Sequence, residues 1–393
     1  MPTWNTELRE LAPNVYAYIQ AGGPGRDNVS VSNAGLFVGD SGTMVVDALA
    51  APMHTRAFVA AIRKTTDKPF RHLINTHHHS DHVNGNQYIT GAEIVGHPYC
   101  REEVVKMVPG PAKWPKRDGW SDGTDDRVIL PPVTTFDGKM TYYYGKNVVD
   151  VLPMAPAHTW GDLVVYLPQH KILFAGDVAF FYVAPFCQNA HPSKWIEWCQ
   201  AIEKMDVDVI VPGHGPIGGK QELAEMRGYL ELLKVEARKR YDERLTPGKA
   251  AADIRMGKYE NWIGPERIIM DTVRFYAEFA GTLAPPVDTE GIRVATEECY
   301  RQRPQGTPFR ACRRGTAVKA RPLPRQAGKH AHSTTIHHQR DRGRNRVDLR
   351  NIACRCLAAT IINSPAGNRR WPTRQDRRYA RARGRSGRPR RHR

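Results

Sequence analysis

Residues 76–82 read Thr-His-His-His-Ser-Asp-His and follow directly on Phe70-Arg-His-Leu-Ile-Asn75, a run of buried-strand type. No other stretch constrains the fold as strongly. Four side chains able to bind a metal fall within six residues at the end of a strand, so the surrounding chain has to form layers that present a loop at a sheet edge. In extended backbone His77 and His79 point to one side, because side chains alternate with period two. A sharp turn after them would send Asp81 and His82 toward a second ion.

Three later segments each place a candidate ligand at the boundary of an apolar strand: Ala157-His158-Thr159, Phe174-Ala-Gly-Asp177 and Val209-Ile-Val-Pro-Gly-His214. Gly176 and Gly213 stand directly before two of these ligands, where a Cβ would hinder a sharp backbone turn. The candidate metal residues are therefore His77, His79, Asp81, His82, His158, Asp177 and His214. A set of imidazoles and carboxylates without thiolate suits zinc, two ions per chain, and also accepts iron or manganese.

The rest of the pattern agrees with an α/β chain. Asn14–Ile19, Gly35–Val38 and Thr43–Asp47 are short β-type runs separated by Gly, Asn, Asp and Ser, a meander of strands. Residues 52–66 place Met53, Phe58, Ala61 and Ile62 on one helical face. Ala92–Gly96, Thr141–Tyr144, Val148–Leu152, Leu163–Leu167 and Ile172–Phe174 read as strands, and helices are expected near 193–205, 219–243 and 265–280. This order predicts sheets packed face to face with helices outside. Residues 101–127, rich in Trp, Pro and Gly, read as a long surface loop, with a flap over the site as the functional alternative. The loops at 20–30, 101–127 and 180–192 are the expected walls of a substrate pocket. Tyr182 reads as a core or surface tyrosine and is not counted as catalytic.

The formal charge of +18 suggests nucleic acid until it is divided along the chain. Residues 301–393 hold 27 Lys+Arg against 3 Asp+Glu, a net +24, which leaves the first 300 residues 31 basic against 37 acidic, a net −6. A mildly acidic body thus carries a basic tail. The expected division is a hydrolase domain over 1–303 and an Arg-rich disordered tail over 304–393, to which no function is assigned. Seven scattered cysteines without paired C-x-x-C knuckles argue against a disulfide framework or a cysteine zinc site. No basic-then-apolar leader opens the chain, and no run approaches the roughly 18 apolar residues of a membrane helix. The expectation is a cytoplasmic protein acting on a small molecule, with no membrane partner; the charge distribution argues against nucleic acid.

Asp47 in Val-Val-Asp-Ala, the His77–His82 cluster, His158, Asp177 and His214 together resemble the five ordered motifs of the metallo-β-lactamase superfamily, over about residues 10–290. The resemblance implies a four-layer αββα sandwich. It implies that His77, His79 and His158 hold one metal and Asp81, His82 and His214 the second, with Asp177 bridging and Asp47 orienting the cluster by hydrogen bonds. It further implies a metal-dependent hydrolase with a dinuclear zinc site, in which a bridging hydroxide cleaves an ester, thioester, lactone, amide or related bond. Asp81 is the candidate catalytic residue, orienting that nucleophile.

Asp177 stands where one β-lactamase subgroup has cysteine, which looks more like glyoxalase II-type thioesterases and lactonases. His158-Thr-Trp-Gly-Asp162 departs from the His-Thr-x-Gly-His of those thioesterases and resembles a branch of bacterial hydrolases without an assigned substrate. Two other readings share the resemblance: an iron-dependent sulfur dioxygenase using one metal, and a phosphodiesterase or RNA-processing nuclease. The full ligand set argues against the first, and the acidic body, without a phosphate track, against the second.

Overall fold

A computed structural model describes residues 6–20, 32–107 and 128–302. The strands are β1 (Thr6–Ala12), β2 (Val15–Gln20), β3 (Ala34–Val38), β4 (Thr43–Val46), β5 (Phe70–Ile74), β6 (Glu93–Gly96), β7 (Thr134–Thr135), β8 (Met140–Tyr144), β9 (Asn147–Pro153), β10 (Leu163–Leu167), β11 (Ile172–Phe180) and β12 (Val209–His214). The helices are α1 (Pro52–Thr65), α2 (Ser80–Val83), α3 (Pro98–Met107), α4 (Pro192–Lys204), α5 (Lys220–Asp242), α6 (Pro247–Asp253), α7 (Ile268–Phe279) and α8 (Thr289–Gln302).

The strands form two sheets, one in the order β1-β2-β3-β4-β5-β6-β7 and the other β12-β11-β10-β9-β8. Antiparallel pairing changes to parallel at β4–β5 in the first sheet and at β11–β12 in the second. Period-two alternation divides each inner strand between two cores. Phe37, Met44, Val46, Ile74 and Val95 face Val149, Val151, Leu163, Val165, Phe174 and Val211 between the sheets. Their neighbours Leu36, Val45, Leu73 and Ile94 face outward onto Phe58 and Ile62 of α1, each of which contributes about 1.5–3 kcal/mol by burial.

The other outer layer is α4 and α5. In α5 Leu223, Met226, Leu230, Leu233 and Ala237 recur at helical spacing and are buried. In α4 Trp195 is buried and its Nε1–H donates to the Val178 carbonyl of β11 at 2.9 Å. The result is the expected αββα sandwich.

Two sequence readings need correction. The segment read as a loop from residue 101 begins as helix: α3 runs through Met107, with Cys100 and Val104 packed on Val83 and Ile129. Its apolar face is too narrow for the period to show. Residues 108–127 lie outside the described residues, as do the candidate pocket loop around 21–30 and the whole Arg-rich tail. The strand read as Ile172–Phe174 continues to Phe180, so Asp177 lies inside a strand and not after one. The pairing of β11 with β12 shifts register on either side of Gly176, and that irregularity is what turns Asp177 out at the sheet edge.

Candidate metal centre

The seven residues meet at one edge of the sandwich. His77 and His79 follow the end of β5, Asp81 and His82 sit on the single turn α2, His158 lies between β9 and β10, Asp177 is in β11, and His214 closes β12. The structure gathers them into two groups whose ligand atoms lie within 4.8 Å of one another: His77, His79, His158 and Asp177, and Asp81, His82 and His214. In the first group His158 Nε2 is 3.3 Å and His77 Nε2 3.8 Å from Asp177 Oδ2, and His79 Nδ1 is 2.8 Å from His158 Nε2. In the second, His214 Nε2 is 3.1 Å from Asp81 Oδ2, and His82 Nε2 is 3.1 Å from Asp177 Oδ1. Asp177 thus faces both groups, with Oδ1 beside His82 and Oδ2 beside His158 and His77 and also 3.5 Å from His214 Nε2. Asp81, at 22% side-chain exposure, and the partly buried His79 form the open side, against 0–5% for His77, His82, His158 and His214 and 4% for Asp177.

His77 Nε2, His82 Nε2 and Asp177 Oδ1 are buried without a hydrogen-bond partner; the 3.1 Å approach of the last two is not aligned as a hydrogen bond. Buried polar atoms left in this way are costly unless a ligand satisfies them. Five imidazoles and two carboxylates converging on orphaned atoms fit metal cations.

Neighbouring groups determine which ring nitrogen faces inward. Asp47 Oδ1 accepts the Thr76 N–H at 2.8 Å, and Oδ2 accepts the Thr76 hydroxyl at 2.7 Å. That hydroxyl has one proton and has given it to Asp47, so its oxygen accepts from His77 Nδ1, 3.1 Å away, and leaves His77 Nε2 as a free lone pair. Asp47 Oδ2 also takes the Nδ1 proton of His82 at 2.8 Å, leaving His82 Nε2 toward the cluster. Asp47 has φ +59°, a left-handed conformation that Asp tolerates better than bulkier residues.

Backbone close approach explains the two glycines. A Cβ on Gly213 would lie 1.8 Å from Asp177 Oδ1, and one on Gly176, at φ +48°, would lie 2.6 Å from Thr76 Oγ1. Asp162, the departure from His-Thr-x-Gly-His, is buried and accepts the Thr159 N–H at 2.7 Å and hydroxyl at 2.8 Å, which closes the turn that carries His158. Burial, outweighing those hydrogen bonds, pushes its carboxyl up to about 7.

Charge in the cluster is unevenly shared. Burial holds His77 and His158 well below the ordinary imidazole value and also lowers His79. Burial pulls His82 and His214 down too, but the carboxylates of Asp177 and Asp81, with Asp47 beside His82, outweigh it and raise both. Burial favours the neutral acids, yet His82 and His214 together hold Asp81 low, and His214 with His82, His158 and His77 hold Asp177 well below the usual range. The carboxylates thus favour positive charge on His82 and His214.

Asn33 and Asn189 escaped the sequence reading. Asn33 Nδ2 donates to the carbonyls of Pro212 and Gly215 at 2.8 and 2.9 Å, fixing the turn around His214. Asn189 Oδ1 lies 2.9 Å from His79 Nε2. Each is a single polar residue in a loop, and no spacing singles it out. Tyr182 packs its ring edge-on to Trp262 at 6.3 Å.

Residues 27–214 match the family model of the metallo-beta-lactamase superfamily, in agreement with the αββα fold of that stretch. A metallo-beta-lactamase type 2 of Bacillus sp. is 26% identical over 238 residues, 59% of this chain and 84% of that protein. A linear primary-alkylsulfatase of Pseudomonas sp. is 23% identical over 258 residues, 55% of this chain and 48% of that protein. A hydroxyacylglutathione hydrolase of Rhizobium johnstonii is 30% identical over 151 residues, 38% of this chain and 48% of that one. Among solved structures, the stereoselective inverting sec-alkylsulfatase Pisa1 of Pseudomonas sp. superposes with a TM-score of 0.54 at 18% identity, covering 70% of this chain and 50% of that chain. The chain therefore spans about half the length of both alkylsulfatases. These relatives are hydrolases by name. No helix among the described residues is long and apolar enough to cross a membrane.

Proposed function

We propose that the chain is a metal-dependent hydrolase with two zinc ions, one held by His77, His79 and His158, the other by Asp81, His82 and His214, with Asp177 shared. The observation that carries this reading is the convergence of seven ligand-type side chains in two groups on buried atoms that lack partners. Bound there, divalent cations would supply Lewis acidity at the scissile bond and a nucleophile from water near neutral pH. The protein's own part is orientation. Asp47 and Thr76 preset two of the imidazole tautomers, and the cluster is buried except on the side of Asp81 and His79. Asp81, with its side chain 22% exposed, is the group placed to accept a hydrogen bond from an attacking water and hold its lone pair toward the substrate.

The substrate is a small molecule with an ester, thioester, lactone or amide bond. A sulfate ester joins this set because two relatives are named alkylsulfatases. The proposed hydrolase unit is 1–303, with 304–393 as an appendage outside it.

Elemental analysis of the full chain, together with turnover of a panel of ester, thioester, lactone, lactam, alkyl sulfate and phosphodiester substrates, tests the reading. Two zinc ions per chain and turnover abolished by chelator are expected. Asp81→Asn should retain metal in the first group and lose ~10²–10⁴-fold in turnover. A single iron with no hydrolysis would favour the dioxygenase reading.

A further inference from the structure

The imidazole of His79 is held from both ends. Its Nδ1 lies 2.8 Å from His158 Nε2 inside the first group, and its Nε2 lies 2.9 Å from Asn189 Oδ1 outside it. Asn189 is 5% exposed, and its amide orientation is set by Nδ2 donating to the Pro285 carbonyl at 3.4 Å. Asp47 and Thr76 serve His77 and His82 but do not reach His79, so Asn189 is its acceptor.

The loop carrying Asn189 is anchored with unusual thoroughness. Arg274 of α7, 2% exposed, donates Nε and Nη2 to the Ala190 carbonyl at 3.0 and 2.6 Å and Nη1 to the Ala284 carbonyl at 3.0 Å. Among the described residues no carboxylate lies within ion-pair distance of it, so a buried guanidinium is committed entirely to main-chain oxygens. Asp271 accepts the Cys187 N–H and the Tyr229 hydroxyl, both at 3.0 Å. Arg267 donates to the Ala184 carbonyl at 2.7 Å, and the His191 N–H donates to the Ala157 carbonyl at 2.9 Å, beside His158. A buried charge without an ion-pair contact is a costly way to fix a loop, and Arg274 fixes the residue next to Asn189.

We propose that Asn189 is a positioning residue of the metal centre: its Oδ1 takes the Nε2 proton of His79, so that Nδ1 is the metal-facing donor, and Arg274 holds it there from beyond the family-matched segment. The inference rests on the metal-centre reading above. A partner that fixes the tautomer of a ligating histidine raises its affinity for the ion, and its loss costs ~10–100-fold in metal binding.

The test compares Asn189→Leu, which keeps the shape and removes the acceptor, with Asn189→Asp, which keeps a stronger one. Zn2+ is titrated in competition with a chromophoric chelator, and histidine ring N–H signals of the zinc-loaded full chain are recorded by long-range ¹H–¹⁵N spectroscopy. Wild type and Asn189→Asp should bind equally well or the aspartate better, with a protected Nε2–H on His79. Asn189→Leu should lose ~10–100-fold in affinity for one of the equivalents and lose that signal, and Arg274→Lys should weaken the same equivalent. Unchanged binding by Asn189→Leu overturns the inference alone. So does an equal loss, or an equal failure to fold, in the Leu and Asp variants, since the acceptor would then not be what matters. A wild-type chain that takes up no Zn2+ removes the metal reading and the inference with it.

Discussion

Asp47 Oδ2 and His82 Nδ1 meet at 2.8 Å with both side chains at most 2% exposed, and the same oxygen takes the Thr76 hydroxyl that in turn orients His77. One carboxylate therefore sets a ligand in each of the two groups. Asp47→Asn keeps the shape and tolerates the left-handed backbone but removes the charge and one acceptor. The expected outcome is an unchanged far-UV circular dichroism spectrum with metal affinity lowered ~10–100-fold. Unchanged affinity in chelator competition would refute the orienting role.

Metal uptake should release protons. His82 and His214 are raised above the ordinary value of 6.5 by their carboxylate neighbours despite burial. With the folded values raised, their contribution to the metal-free protein is fully present below 6.5 and is lost as pH rises through the folded values. Deprotonation over the same window frees the ligands for metal. The gap in melting temperature between loaded and chelator-treated protein should therefore widen from mildly acidic to mildly alkaline buffer. A gap that narrows would contradict this arrangement.

Gly213→Ala is expected to act on Asp177. The added Cβ would sit 1.8 Å from Asp177 Oδ1, so the carboxylate proposed to serve both groups has to move. Metal affinity should fall at least ~10–100-fold, more than for the same substitution at Gly138, where nothing lies within 4 Å of the new atom. Equal affinities in the two variants would show that the close approach is relieved without consequence.

Asp271 gives a pH dependence independent of metal. Burial, outweighing its hydrogen bonds from Cys187 and Tyr229, pushes its carboxyl from 3.8 to about 7. The folded value is raised, so stability is fully present below 3.8 and declines as pH rises through about 7. Asp271→Asn cannot ionise and should reduce that decline by about 1–3 kcal/mol in denaturant unfolding of the metal-free protein. Asp162 titrates in the same direction, so part of the decline should persist.

The inner strands were legible because burial on both faces leaves continuous apolar runs such as Leu163–Leu167. All seven candidate ligands were legible for a different reason: imidazole and carboxylate beside apolar runs have few structural uses, even though Asp177 lies inside its strand. α3 and α8 were not, since each buries only a few side chains, Cys100 and Val104 in one and Ile292, Ala295 and Cys299 in the other. Asn33, Asn189 and Asp162 were missed as supports because their work is done by contacts far apart in sequence, as between Asn33 and Pro212. A lone amide carries no periodicity.

The candidate ligands come from opposite halves of the sandwich: His77, His79, Asp81 and His82 belong to the rim of the first sheet, and His158, Asp177 and His214 to the rim of the second. Each group in turn draws on both rims. An ion seated in either would therefore be a clasp as well as a reagent, fastening together two walls that are otherwise joined at that end by apolar contact and loop hydrogen bonds. Chelation would then unfasten the mouth of the sandwich and stop its chemistry in the same event, making resistance to heat and proteolysis follow the supply of metal.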